Sequence, residues 1–445
     1  MKRRLLSIAV TLALVAGLSR AAAGEDLMQI YRDAQQSDPT IASARANWNA
    51  LQERVPQARA ALLPNVGLTA TANLNNGRST VDSDPRIVVE KSYQSSQYTI
   101  SASQPLYRPQ NYVVLSQAQA TVTQADFSLA TAQQDLILRV AQAYFDVLLA
   151  QFSVELVESQ KAAVSEQLAQ AKRNFEVGVA TITDTNEAQA KYDQIVATEI
   201  ATRNDLDNKL TALRAIVGRL PSDLKKLGQG YVPRLPEPNT ADYWVDRALK
   251  ENLAVRIAQS NYDIATLEVE RQRAAHLPTL DVVGSFGNSE AGASVSSGFG
   301  VTSRAATIGL SFAVPIYQGG FINSKVREAL ALQDRARQDL EVARRNALFT
   351  AQTGYAGVVS AVASVAAFEQ ALKSAQVAYE SNKLGQEVGV RTNLDVLTVQ
   401  QNVFQTRHDL AQAYFNHIVG LLRLKSAVGA LTEQDLDEVN RTLRG

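Results

Sequence analysis

The sequence predicts a mainly α-helical chain that also carries a membrane-type β-sheet of four strands. Three observations predict it: the chain repeats itself at an interval of about 210 residues, it contains helical stretches too long for a globular domain, and it has two pairs of segments that alternate apolar with polar residues.

The repeat comes first, because it recasts the length as one unit used twice. Arg59 to Pro64 recurs as Arg273 to Pro278, Pro105-Leu106-Tyr107 as Pro315-Ile316-Tyr317, Val177 to Asp184 as Val388 to Asp395, and Val217-Gly218 as Val428-Gly429. Each copy has the same predicted order: helix, strand, loop, strand, long helix, turn, helix. The division that follows is a leader at 1–23, a first repeat at 24–220, a connector at 221–240, a second repeat at 241–431 and a terminal segment at 432–445. The main length change falls between the strands, where Asn75 to Gln97 and Gly287 to Arg304 are rich in Ser, Gly and polar residues and read as surface loops.

The long helices follow from what is missing. No proline stands between Pro109 and Pro221 and no glycine between Gln110 and Val177, so a helix from about Asn111 to Phe175 meets no breaker. At 1.5 Å per residue it would be roughly 100 Å long. The second copy has no proline after Pro315. Asn346 to Phe368 lacks charge and resembles a membrane span, but its counterpart carries Arg139, Asp146 and Glu155, and a helix that accepts charge in one copy is not built for lipid in the other.

The strands alternate with period two. Val66, Leu68, Ala70, Ala72 and Leu74 share one face, as do Tyr98, Ile100 and Ala102, and Ala306, Ile308, Leu310, Phe312 and Val314; Leu280, Val282 and Phe286 make a poorer stripe. Alternation alone suits a membrane strand or a soluble sheet covered on one side. A membrane sheet must close, and four strands cannot; two chains give eight strands, whose interior side chains fill, and three give twelve, with more room. A duct favours the trimer.

Composition excludes other classes. The chain is 46% hydrophobic yet only 6% aromatic, and its 44 basic and 44 acidic residues cancel, so no global field favours nucleic acid. Lys2, Arg3 and Arg4, the apolar stretch Leu5 to Leu18 and Ala21-Ala22-Ala23 read as a secretory leader, whose removal leaves 40 basic and 44 acidic residues. With no cysteine there is neither a disulfide framework nor an N-terminal lipid-modified Cys.

Five runs, PIYQGG at 315–320, HLPTLD at 276–281, VGVRTNLDVL at 388–397, VGVATITD at 177–184 and LTEQDL at 431–436, give the chain a resemblance to the TolC family of outer-membrane efflux and secretion proteins. The resemblance spans nearly the whole mature chain. It implies a homotrimer in the outer membrane, a twelve-stranded barrel continued by a periplasmic helical tunnel, and a mixed belt built from the connector Leu220 to Pro238 and the C-terminal residues. It also implies a periplasmic adaptor, an inner-membrane transporter of ABC or RND type, and contact with outer-membrane lipid.

Both helical turns read Val-Gly-x-x-Thr-x-x-Asp. Local chemistry explains each residue: Gly178 and Gly389 give the left-handed end of one helix, Thr181 and Thr392 cap the next, and Asp184 and Asp395 stand at the favourable third position. The functional reading makes these turns the periplasmic tip, where three copies of Asp395 face each other as a ring, and the resemblance implies that the tips, with Val177 and Val388, dock the adaptor. The resemblance makes Arg391 a latch to a neighbouring helix, with Asp184 as acceptor. Thr398 stands where the family has a second aspartate and Gln386 where it has a latch tyrosine, so the expected ring is less charged and the latch weaker.

No other chemistry competes. His276, His408 and His417 are the only histidines, no metal-ligand or phosphate-loop spacing occurs, and neither a cofactor nor catalysis is expected. His408 and His417 read as surface or interhelix residues. The alternative function is a non-conducting structural or adhesive trimer anchored by its strands.

Overall fold

A computed structural model of the chain describes residues 24–81, 84–228, 230–295 and 297–444. The leader assigned to 1–23 lies outside the described residues. The described residues form two compact units, one within 47–127 and 257–342, the other within 24–46, 128–256 and 343–444.

In the first repeat α1 (Leu27–Ser37), α2 (Pro39–Gln52) and α3 (Arg54–Ala60) lead to β1 (Asn65–Val81) and β2 (Asp84–Tyr107), then α4 (Pro109–Glu176) and α5 (Ile182–Val217). After β3 (Lys226–Leu227), the second repeat runs α6 (Ala241–Glu251), α7 (Leu253–Ala274), β4 (Thr279–Ala291), β5 (Val301–Ala313), α8 (Phe321–Glu387) and α9 (Asn393–Ala427). α10 (Glu433–Asn440) and β6 (Leu443–Arg444) end the chain. The single helix expected before each strand pair is divided: Pro39 opens α2, because proline fits a first helical turn but lacks the N–H that would continue α1.

The strand unit holds one antiparallel sheet in the order β1-β2-β4-β5. Two loop expectations fail here. Asn75 to Gln97 is mostly hairpin: the ladder continues through Asn75↔Tyr93 and Arg78↔Glu90 to Thr80↔Val88, with an Arg78–Glu90 ion pair at 3.3 Å. In the second copy the strands run to Ala291 and from Val301, so only residues 292–300 connect them. The extended ladders carry polar side chains on both faces, so no period-two stripe announces them.

The helical unit has a core in which Leu27, Ile30 and Tyr31 of α1 pack with Leu136, Val140, Tyr144 and Phe145 of α4, Leu213 of α5 and Leu422 of α9. Asp26 caps α1 by accepting from Gln29 N at 2.8 Å. The Tyr144 hydroxyl donates to the carbonyls of Lys225 at 2.8 Å and Glu25 at 3.2 Å, which anchors the N-terminal segment beside the connector. β3 pairs with β6, joining the connector to the C-terminal residues. α8 and α9 approach closely: a Cβ on Gly354 would lie 3.5 Å from Leu424, and one on Gly420 3.8 Å from Val358.

Candidate functional site

The register sorts the sheet into two chemically distinct faces. Leu68, Ile100, Phe286 and Ala306 lie in one row across the four strands, with Val66, Ala102, Gly284 and Ile308 in a row on the same face. The opposite face carries Thr69, Thr99, Gly287 and Ala305, and Gly67, Ser101, Ser285 and Thr307. Ser285 and Thr307 share a hydroxyl hydrogen bond of 2.7 Å on that side. Among the described residues nothing covers the apolar face: Leu68, Phe286, Leu310 and Phe312 are exposed, and Ile308 is 86% exposed. A bare apolar face backed by a polar one is the arrangement of a strand between lipid and an aqueous lumen.

At the first tip, Gly178 closes α4 at φ 79° and Thr181 opens α5. Asp184 Oδ2 accepts from Thr181 N at 2.9 Å and Thr181 Oγ1 at 2.7 Å, while Asp184 N donates to Thr181 Oγ1 at 3.3 Å. The second tip repeats this with Gly389 at φ 77°, where Asp395 Oδ2 lies 3.0 Å from Thr392 N and 2.9 Å from its Oγ1. Both carboxyls are held below the usual carboxylate range. For Asp184 the Thr181 hydroxyl contributes most and then its N–H; for Asp395 the Thr392 N–H leads, then the hydroxyl, then the nearby charge of Arg391. Val177, Val179, Val388 and Val390 flank the two turns, each at least 67% exposed.

Within one chain Arg391 and Asp184 are not brought together: among the described residues no ion pair joins them, and the groups that act on the Asp184 carboxyl are those of Thr181. The Arg391 charge instead lies near Asp395. Gln386 Nε2 donates to Asn393 Oδ1 at 3.2 Å and so bridges the turn, and Thr398 Oγ1 donates to the Leu394 carbonyl at 2.8 Å.

A profile described as Outer membrane efflux protein matches residues 30–219 and 244–430. The outer membrane protein TolC of Vibrio cholerae is 36% identical over 445 residues, covering 99% of each chain. The chain belongs to the outer membrane efflux protein family. The alkaline protease secretion protein AprF of Pseudomonas aeruginosa is 30% identical, over 93% of this chain and 86% of that protein. Among solved structures, the Campylobacter jejuni CmeC outer membrane channel superposes with a TM-score of 0.79 at 14% identity, covering 94% of this chain and 90% of that one, which is a likeness of fold. The protein is thus an outer-membrane channel of the efflux or secretion kind, in a family of channels and not of enzymes.

As a member of the outer membrane efflux protein family, the chain holds one feature that sequence reasoning missed. His417 on α9 is 1% exposed, with Nδ1 2.9 Å from the Tyr231 hydroxyl and Nε2 3.0 Å from the Arg234 carbonyl. A carbonyl only accepts, so Nε2 carries the proton and a neutral ring accepts from Tyr231 at Nδ1. Burial pushes the His417 pKa down, partly offset by the Arg234 carbonyl. A lone histidine on a helix gives no sign of this, because its partners come from the connector.

Proposed function

We propose that three copies of this chain form one exit duct, anchored in outer-membrane lipid by a twelve-stranded barrel and gated at its helical tips. The observation that carries this reading is a four-stranded sheet open at both β1 and β5, with its apolar face bare. Unpaired backbone groups in lipid cost several kcal/mol each, so both edges need partner strands. Three copies of four strands close with room for a lumen. The apolar stretch of α8 supports the same assembly, because only 11% of it is buried in the single chain and a second copy would cover it.

In this trimer Arg391 latches the closed state through charge-assisted contacts to a neighbouring helix, with Asp184 as acceptor, and three copies of Asp395 ring the aperture. The contact is between chains, in keeping with the absence of an Arg391–Asp184 pair within one. The valines, glycines and threonines of the tips, Val177, Gly178, Thr181, Val388, Gly389 and Thr392, receive a periplasmic adaptor coupled to an inner-membrane ABC or RND-type transporter. The two repeats at 24–220 and 241–431 supply equivalent strands and helices, and 221–240 with 432–445 form the belt, a role supported by the β3–β6 pairing. The duct performs no covalent chemistry.

The test is mass in mild detergent together with conductance in a planar bilayer. A trimer that conducts is expected. A monodisperse monomer refutes the assembly, and a trimer with no conductance supports an adhesive or structural role.

A further inference from the structure

We propose that Gly385, two residues before the end of α8, is the seat of the Arg391 side chain and sets the direction in which that arginine leaves the tip. The inference rests on the gate reading above and adds the residue that positions the latch. A Cβ built on Gly385 would lie 2.8 Å from Arg391 Cγ, and 3.5 Å from both Arg391 Cβ and Val390 Cγ2. The arginine stem therefore crosses the glycine at a distance that no other residue permits without movement.

Backbone conformation does not explain this glycine. Gly385 lies within the helix and is absent from the residues with positive φ. Glycine there weakens the last helical turn by a few-fold relative to alanine. Its carbonyl accepts from both Val390 N at 2.9 Å and Arg391 N at 3.1 Å, so the residue that seats the stem also anchors the arginine backbone.

The first tip supplies an internal control. There the Asn174 carbonyl accepts from Val179 N at 2.9 Å and Ala180 N at 3.2 Å, the same two bonds at the equivalent positions. Where alanine follows, the turn is built on a residue with a side chain. Where arginine follows, it is built on glycine. The small residue thus tracks the long one. Seating the stem along the end of α8 restricts its rotamers, so less conformational entropy is lost when the guanidinium reaches a neighbouring chain.

The experiment is a double-mutant cycle in the full-length channel with Gly385→Ala, Arg391→Ala and both. It reads hydrogen exchange at the Val390 and Arg391 amides, and bilayer conductance. Gly385→Ala alone is expected to lower protection of those amides about tenfold, through strain against the stem, and to raise the open fraction as Arg391→Ala does. In the Arg391→Ala background the same change should raise protection a few-fold, because the obstacle is gone and alanine favours the helix. Equal effects in both backgrounds overturn the seat. Coupled exchange with unaltered conductance in every variant keeps the seat and refutes the gate reading alone.

Discussion

Arg108 and Asp281 meet through two parallel bonds, Nε to Oδ1 at 2.8 Å and Nη2 to Oδ2 at 2.5 Å. Asp281 is the third residue of β4 and is 7% exposed, whereas Arg108 follows β2 and its side chain is 44% exposed. The pair sits where the β2–β4 register shifts between Pro105 and Tyr107, so it clips the last rung of the sheet at the point where strand gives way to helix. Arg108→Ala leaves a buried carboxylate unpaired and should cost about 2 kcal/mol, less than for a fully buried pair because Arg108 is already hydrated. Thermal unfolding in detergent measures the loss. Arg108→Met with Asp281→Leu should recover most of it, because the pair is then replaced by packing.

The two faces of the sheet should respond differently to charge. Leu310→Arg, on the bare apolar face, is expected to cost about 2–4 kcal/mol and to reduce outer-membrane insertion. Thr307→Arg, three residues earlier on the same strand and on the polar face, should insert normally and shift ion selectivity toward anions. The fraction of heat-modifiable trimer in outer membranes and the reversal potential report the two effects. Equal insertion defects would mean that the faces are misassigned.

Latch and filter should separate at the second tip. Arg391→Ser is expected to raise the open fraction, seen as larger conductance and greater antibiotic leak. Asp395→Ala should weaken block by divalent cations with little change in closure. Conductance unchanged in the first variant removes Arg391 from the mechanism. Unchanged block in the second returns Asp395 to its role as a helix cap.

Mild acid should loosen the connector from α9. His417 has a folded pKa below its ordinary 6.5, so the unfolded chain binds the extra proton first. The neutral clamp on Tyr231 and Arg234 is therefore fully stabilising above pH 6.5 and is lost as pH falls through the lower folded pKa. Thermal midpoints measured across this range should fall with pH in the wild type and fall less in His417→Gln. Parallel curves for the two proteins would exclude the histidine.

Gly178→Val and Gly389→Val should each cost about 1–2 kcal/mol, because both residues hold a left-handed φ that a β-branched side chain resists. If they also form the docking surface, cross-linking to an adaptor should drop in a variant that remains trimeric. Full cross-linking in both variants would move the docking site elsewhere.

Features dictated by local chemistry were legible in the amino-acid order. The unbroken stretch after Pro109, the left-handed glycines and the Thr–Asp capping boxes depend on residues only a few positions apart, and they form as read. The period-two stripes likewise announced which strand face is apolar. Features that join distant positions depended on how the folded chain packs. Asn75 to Gln97 became a hairpin because backbone pairing, which leaves no stripe when both faces are polar, continued past the apolar rungs. His417 became a buried neutral clamp because Tyr231 and Arg234, far away in the chain, lie against it. Gly385 reads as an ordinary helix weakness until the turn folds Arg391 back across it, since the missing Cβ matters only once a specific neighbour occupies its space.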